Sequence, residues 1–322
     1  MLKDKISKLV TTLSFSIFVF FVILNSGNAH AKKLKIITTT TDLKSIAEYI
    51  GGNKVNVESL TKGYANPHEV DAKPSFMVKL RKADVFIRIG LDLEQWAQLL
   101  IDGARNPKIR FGSPGHVIAS VGVDLQGLAV RGGAMIDRSL GDVHIYGNPH
   151  FWLDPLNGKI MAQNILEGLK RNSPENAVYF EGNKKRFDRK IDTHLIEWMK
   201  KMKPYSGTNV IAYHRSWPNF SKRFGINVVG WVELRPGVAP SPAHIATLIK
   251  RMKSEDIRVL IREPCYETKI PKFISSKTGA SVLTLPVSVE GVSEVKDFFG
   301  LFDYIIDNMV NTFKDQGITP ND

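Results

Sequence analysis

The sequence twice places a histidine directly after Asn-Pro, with an aspartate a few residues later. The first stretch, residues 66–71, reads NPHEVD, and the second, residues 148–154, reads NPHFWLD. Proline fixes its own backbone and restricts the residue before it, so His68 and His150 each stand on a stiff, extended entry and not inside a helix. Such a backbone aims the imidazole at a fixed point, which suits a group that binds a ligand.

A third histidine, His214, ends the apolar stretch Asn209–Tyr213, which reads as a strand. His68 follows another predicted strand, which ends near Leu60. Ligands of open parallel sheets gather outside the carboxyl ends of the strands, so these side chains indicate a site in a cleft between two lobes. A single histidine at a strand end is more often a hydrogen-bonded structural group than a metal ligand. The metal hypothesis therefore depends on several histidines sharing one site.

Two aspartates near these histidines have structural interpretations. Asp154 precedes a helical pattern over residues 156–169 and is predicted to be the N-cap of that helix. Asp71 could cap the helix that begins near Pro74, or it could orient His68 by accepting a hydrogen bond.

The other histidines have no comparable context. His194 lies within a long helical pattern, and His116 and His244 read as loop or helix-start residues. His144, with Asp142, is near enough to the second Asn-Pro-His motif to form an accessory site, but we do not favour one there.

Short β-branched runs alternate with helical patterns through the chain. The predicted strands are residues 34–39, 54–60, 84–90, 117–121, 209–213, 226–232, 258–262 and 281–287. The predicted helices between or after them are residues 42–50, 75–83, 94–104, 218–224, 242–255, 269–277 and 297–313. Strands separated by helices of about 10–15 residues indicate βαβ units and parallel sheets. We therefore predict an α/β protein with two parallel-sheet lobes of similar size.

One long helical pattern separates the two halves. Its apolar residues recur at spacings of three, four and seven: Phe180, Phe187, Ile191, Leu195, Trp198 and Met202. With Ser173 as N-cap, the helix would run from Pro174 to Lys203 and be about 45 Å long. This length predicts a rigid strut, with small rotations of the lobes instead of large closure. The predicted domains are an N-terminal lobe at 32–172, the connecting helix at 173–203 and a C-terminal lobe at 204–322.

The first 31 residues read as a secretory signal peptide. Three lysines precede a nearly unbroken apolar run from Leu9 to Leu24, and Ala29-His30-Ala31 supplies a cleavage site. A membrane anchor is the alternative, although a spanning helix usually needs about 20 apolar residues. We predict export, cleavage after Ala31 and a periplasmic location.

The composition argues against disulfide bonds within the chain and against a nucleic-acid partner. The single cysteine, Cys265, cannot form an intramolecular disulfide. The formal net charge of +12 becomes +10 when three lysines and one aspartate leave with the signal peptide. Export separates this charge from nucleic acids, and the basic groups at 184–186 and 200–203 fit a solvated helix face. We expect a monomer without a nucleic-acid partner, and attraction to an anionic membrane is a minor alternative.

Taken together, the motifs resemble the solute-binding proteins of zinc and manganese ABC importers (cluster A-I). In chain order the resembling segments are NPHEVDAKPS from Asn66, GLDLEQW from Gly90, NPHFWLDP from Asn148, AYHRSWPNFSKRFG from Ala212, ELRPGVAPSPAHI from Glu233 and IREP from Ile261. The resemblance covers nearly all of residues 32–322. It implies two α/β lobes joined by one long rigid helix, with a metal site in the interlobe cleft. It also implies that the metal ligands are His68, His150 and His214.

The chain departs from the family pattern at two points. Members usually add an aspartate in the loop after the last strand of the second lobe, whereas residues 284–290 read TLPVSVE here. Glu263, Glu290 or a water molecule could supply a fourth ligand, and these alternatives stay open. The long histidine-rich loop of many zinc-binding members is also absent from this sequence.

Ligand chemistry favours zinc over manganese. Imidazole suits Zn²⁺, copper, nickel and iron, whereas Mn²⁺ prefers carboxylate oxygen. Because imidazole must be neutral to bind a metal, we expect the affinity to fall below about pH 6.5.

We therefore predict a solute-binding protein, without enzymatic activity, that captures a divalent metal ion, with Zn²⁺ favoured, and delivers it to a cognate ABC permease in the inner membrane. One alternative keeps the fold and binds Mn²⁺, Fe²⁺ or a metal chelate. The other is a zinc-dependent hydrolase, because three histidines and water also form a catalytic set. Against the hydrolase, the sequence has no H-E-x-x-H motif, and Glu69 and Glu263 are only weak candidates for its general base.

Overall fold

Each lobe is built on a four-stranded sheet whose strand pairs are all parallel in the described residues. The computed structural model describes residues 32–125, 147–235 and 237–319. The first lobe has the order β2-β1-β3-β4, with β1 Leu34–Thr38, β2 Val55–Ser59, β3 Val85–Arg88 and β4 His116–Ile118. The second lobe repeats this topology as β6-β5-β7-β8, with β5 Asn209–Ala212, β6 Asn227–Trp231, β7 Val259–Arg262 and β8 Ser281–Thr284. The predicted α/β class with two parallel sheets is confirmed.

Helices connect and cover these strands. They are α1 Thr41–Gly51, α2 Pro74–Arg81, α3 Trp96–Ala104, α4 Pro155–Asn172, α5 Ala177–Met202, α6 Pro218–Phe224, α7 Pro242–Ser254, α8 Lys269–Thr278 and α9 Phe298–Asp315. Most predicted boundaries agree within two residues. Strands β4 and β8 are exceptions, because they end at Ile118 and Thr284 instead of Val121 and Val287. The last ladder bond between β8 and β7 runs from the Leu285 N–H to the Arg262 carbonyl.

The long connecting helix forms as predicted, with a different start. Helix α5 is preceded by a 3₁₀ turn at Pro174–Asn176 and followed by another at Lys203–Tyr205. The Ser173 hydroxyl donates to the Glu175 carboxylate and caps no backbone N–H, so the predicted N-cap is wrong. The apolar face of α5 is buried as expected.

One hydrophobic core continues through α5 from one sheet to the other. Ile36 of β1, Phe187 of α5 and Val259 of β7 all belong to the same buried cluster. Smaller clusters lie on the other faces of the two sheets. Residues 34–322 form one compact unit by mutual contact. Large relative swings of the lobes would expose this shared core to water, which favours small rotations.

Two predictions lie outside the described residues: the signal peptide at 1–31 and the accessory site at Asp142 and His144. Among the residues that are described, none of the helices combines the length and apolarity needed to cross a bilayer.

Candidate metal centre

Each Asn-Pro-His motif is an Asx turn that holds the histidine backbone. Asn66 Oδ1 accepts the His68 N–H at 3.1 Å, and Asn148 Oδ1 accepts the His150 N–H at 2.9 Å. Asparagine favours this bond to the residue two positions on, and the intervening proline pre-sets the backbone. The repeated motif is therefore a repeated turn that presents an imidazole.

The His68 turn is tied to the start of helix α3. The Trp96 indole Nε1 donates to the Pro67 carbonyl at 2.9 Å, one residue before His68. Trp96 is the first residue of α3, so the position of that helix sets the position of the His68 backbone. The segment GLDLEQW thus positions the first histidine.

The turn before Trp96 depends on the buried carboxylate of Glu94. Glu94 accepts the backbone N–H groups of Ile89 and Gly90 and the hydroxyl of Thr39 at 2.6–3.0 Å. Gly90, Leu91 and Asp92 all have positive φ, a run that these bonds stabilise. Burial raises the pKa of Glu94, and the Arg88 charge and the hydrogen bonds oppose that shift.

The His150 turn is fixed to both lobes. Asp154 Oδ1 accepts the Leu156 N–H at 3.0 Å, which confirms it as the N-cap of α4. The same carboxylate receives two bonds of 2.8 Å from Arg223, on helix α6 of the second lobe. Asn148 adds a second link, because its amide donates to the Arg215 carbonyl at 2.7 Å.

Asp71 does not cap helix α2. That helix begins after Lys73 without a side-chain cap, and the Asp71 side chain is exposed. Proline at the first helical position leaves one backbone donor fewer to satisfy, which reduces the need for a cap.

His214 is held by a buried carboxylate that the sequence patterns did not single out. Its Nδ1 lies 2.6 Å from Oε2 of Glu233, and the two residues are only 3% and 6% exposed. A carboxylate can only accept here, so Nδ1 carries the proton and Nε2 is left as a metal-binding lone pair. Glu233 follows β6, the neighbour of β5, and its other oxygen accepts the Gly237 N–H at 2.8 Å. The available signal was a carboxylate directly after the strand adjacent to that of His214.

The structure brings His68, His150 and His214 together in one triangle. Their ring centroids are 5.1–5.5 Å apart, and each offers a nitrogen within 4.8 Å of the other two. The Nε2 atoms of His68 and His150 lie 3.1 Å apart. Tetrahedral zinc with bonds of 2.0–2.1 Å would place two nitrogens about 3.3 Å apart. The arrangement is therefore close to a zinc ligand set before any adjustment.

The two glutamates considered as fourth ligands have other partners. Glu263, fully buried after β7, accepts the Trp217 indole N–H at 3.0 Å. Burial raises the pKa of Glu263, and nearby His214 opposes that shift. Glu290 forms an ion pair of 2.8 Å with Lys44 on helix α1 of the first lobe. Within the described residues, the group that could hold a metal ion comprises the three histidines alone.

Aromatic rings form the walls around the triangle. Tyr266 stacks on both His214 and Tyr213, and Trp152 lies against His150 at 5.2 Å. Burial raises the pKa of Tyr213 to about 12 and raises that of Tyr266 as well, so both rings stay neutral at physiological pH. These walls restrict water and hold the imidazoles in place.

The other described histidines lie elsewhere, as expected. His116 contacts the Ile109 carbonyl, His244 contacts the Trp231 carbonyl and His194 lies near Asp303.

Comparison with known proteins identifies the family. The family model described as zinc-uptake complex component A, periplasmic (ZnuA) matches residues 36–312. The chain belongs to this family. Its members are substrate-binding proteins of ABC transporters and not enzymes, which removes the hydrolase alternative.

The relatives that match this chain include proteins named for zinc uptake and proteins named for manganese transport. The high-affinity zinc uptake system protein ZnuA of Brucella abortus (strain 2308) is 34% identical over 167 residues, covering 52% of this chain and 49% of the relative. The match thus spans about half of that relative's length. The manganese ABC transporter substrate-binding lipoprotein PsaA of Streptococcus pneumoniae serotype 4 is 24% identical over 314 residues, covering 94% of this chain and 96% of the relative.

Solved structures share the fold. A crystal structure of ZnuA aligns with a TM-score of 0.71 at 22% identity, covering 87% of this chain and 99% of that one. The periplasmic metal binding protein from Candidatus Liberibacter asiaticus aligns with a TM-score of 0.69 at 19% identity, over 87% and 99% of the two chains. This likeness confirms the two-lobed architecture with its long helix.

Proposed function

We propose that this chain captures Zn²⁺ between its lobes through His68, His150 and His214 and delivers it to an ABC permease. The observation that carries the proposal is the imidazole triangle itself, which joins two histidines of the first lobe to one of the second. All three ligand atoms come from side chains whose backbones are fixed by Asx turns or by a strand end. Capture needs only ligand exchange, with no bond made or broken in a substrate.

Zinc is preferred to manganese because of the ligand set. Three imidazoles without a carboxylate among them match the preference of Zn²⁺, whereas Mn²⁺ favours oxygen ligands. We assign the fourth position to water, because Lys44 engages Glu290 and Glu263 does not join the three histidines in the group that could hold a metal ion. Manganese is the second candidate, since the Streptococcus pneumoniae relative that matches 94% of this chain is named as a manganese protein.

The proposal includes where the protein works and how the chain is divided. Residues 1–31 would be a signal peptide, and residues 32–172, 173–203 and 204–322 would be the first lobe, the connecting helix and the second lobe. The processed protein would act as a monomer in the periplasm and dock on a permease in the inner membrane. Mass spectrometry of protein recovered from the cell envelope tests the first point, because processing after Ala31 leaves Lys32 as the first residue.

Metal analysis tests the ligand assignment. Purified protein should contain about one zinc per chain and bind Zn²⁺ more tightly than Mn²⁺ in competition with a chelator. His214→Ala should lose tight binding and the thermal shift that zinc produces. His244→Ala is the matched control, because His244 lies outside the triangle, and it should bind like the wild type. Retention of full zinc affinity by His214→Ala would overturn the assignment.

A further inference from the structure

The outer face of helix α5 carries side chains that the metal site does not use. The buried face contains Phe180, Phe187, Ile191, Trp198 and Met202. At about 100° per residue, eight positions of α5 and the following turn lie within roughly 40° of the line opposite Phe187, and two of them are Gly182 and Asp192. The other six are Val178, Lys185, Arg189, Ile196, Lys200 and, in the following turn, Lys203, and all six side chains are exposed. We call these six residues the outer stripe.

The four cations of the outer stripe form no salt bridge within the described residues. Two cations nearer the buried face are paired instead: Lys184 with Asp188 and Lys201 with Asp307. Asp192, the acid in the same sector as the stripe, is engaged by Lys159 of helix α4. Positive charge is therefore left along the outer line of the helix.

The outer stripe also exposes apolar surface. Val178 is 83% exposed and Ile196 is 68% exposed, more than any other large aliphatic side chain among the described residues. Helices that lie in a membrane interface place cations against anionic headgroups and apolar side chains at the acyl boundary, and the outer stripe offers both kinds of side chain on one face.

We propose that the outer stripe binds the anionic surface of a phospholipid membrane, with helix α5 parallel to the bilayer plane. The helix has 26 residues and is about 39 Å long, so its cations can contact several headgroups at once. Charge complementarity supports this partner, because the formal net charge of +12 is still +10 when residues 1–31 are removed. Nucleic acid would pair with the cations but would leave the two aliphatics in water.

Membrane binding goes beyond metal capture and does not depend on it. A carrier held at the surface searches for its permease in two dimensions, and small lobe rotations would leave the helix in place. The attraction is electrostatic in its first part, so it weakens as salt screens the charges.

Vesicle co-sedimentation tests the outer stripe. Protein recovered from the cell envelope after export should bind vesicles of phosphatidylglycerol and phosphatidylethanolamine at low salt and ignore phosphatidylcholine vesicles. The triple variant Lys185→Glu, Arg189→Glu, Lys200→Glu should lose at least about 100-fold in partitioning, since each cation contributes about five-fold. Ile196→Ser should weaken the binding that remains at high salt.

A second triple variant controls for net charge. Lys250→Glu, Lys253→Glu and Lys272→Glu reverse three exposed lysines of α7 and α8 and change the net charge equally. This control should keep most of the vesicle binding. Equal losses in the two triples, or a wild type that ignores anionic vesicles, would overturn the proposal. Stripe-dependent retention on a polyglutamate column without vesicle binding would also overturn it, in favour of an acidic protein partner. Zinc titration should be unchanged in every variant, which separates this result from a failure of the metal site.

Discussion

The Nδ1 atom of His214 donates to the Glu233 carboxylate across 2.6 Å, and both residues are buried. This bond determines which imidazole nitrogen faces the other two histidines. It joins the loops that follow two neighbouring strands, β5 and β6. The pairing of these strands therefore sets the orientation of the His214 ring.

Substitution of Glu233 should weaken zinc binding without removing a ligand. Glu233→Ala leaves the His214 tautomer and ring orientation undetermined, and loss of such a partner typically costs 10–100-fold in metal affinity. Glu233→Gln can still accept the Nδ1 proton and should lose less. Chelator competition measures both. Glu255→Ala, which removes an exposed carboxylate paired with Arg251, is the control and should bind zinc normally. Equal affinities in Glu233→Ala and the control would contradict the role of Glu233.

Trp96→Phe should weaken zinc binding as well as lower the stability of the fold. It removes the indole bond to the Pro67 carbonyl and frees the His68 turn, so zinc affinity should fall several-fold. The lost hydrogen bond should also lower the free energy of unfolding by about 1 kcal/mol. Trp198→Phe is matched to it, because that indole donates to Asp303 at 2.7 Å, outside the histidine triangle. We expect Trp198→Phe to lose stability but to keep its zinc affinity, and urea unfolding and zinc titration measure the two quantities. Similar losses of zinc affinity in both variants would count against the role of the Trp96 contact.

Asp42 should make the stability of the metal-free protein depend on pH. Asp42 Oδ1 accepts the Val289 N–H across the lobes at 2.9 Å, and burial raises the Asp42 pKa from 3.8 to about 7. Between these two values the folded state binds more protons than the unfolded state. Stability is therefore lost as pH rises from about 4 to about 7.

Asp42→Asn cannot ionise and should remove this loss. The free energy of unfolding of the variant, relative to the wild type, should increase from pH 5 to pH 8 by at most about 3 kcal/mol. Urea unfolding with a chelator present measures it. Asp256→Asn, an exposed site whose carboxyl pKa is lowered by Arg258, should show no such trend. A constant difference between Asp42→Asn and the wild type across this range would show that Asp42 does not titrate there.

Gly63→Ala should disturb the contact between the lobes. A Cβ at Gly63 would lie 2.0 Å from the Val289 carbonyl oxygen, so the backbone of one lobe must move. We expect lower stability and weaker zinc binding, because His68 lies five residues further along the same loop. Gly182→Ala is the control: its Cβ meets no atom nearer than 3.7 Å, and alanine favours the α5 helix by up to about 1 kcal/mol. Thermal unfolding should move in opposite directions for the two variants, and an unchanged Gly63→Ala protein would show that the loop can adapt.

Much of the fold could be predicted from local patterns. Helix α6 matches its predicted bounds, Pro218–Phe224, because apolar spacing, an initial proline and a final glycine act within a few residues. Such signals fail where a side chain can form either of two hydrogen bonds. The Ser173 hydroxyl, for example, donates to the Glu175 carboxylate instead of capping the helix. They also fail at Val287, where the β-branched run continues past the last strand hydrogen bond.

For the candidate site, too, local features could be predicted from the sequence and long-range contacts could not. The sequence by itself determined the two Asn-Pro-His turns, the strand that ends at His214 and the Asp154 cap, since each depends on bonds within a few residues. Only the tertiary structure decided that Glu233 faces His214, that Trp96 holds Pro67 and that Asp42 meets Val289. The last pair is 247 positions apart, and such contacts follow from strand order and lobe packing, which leave no periodic trace along a single chain.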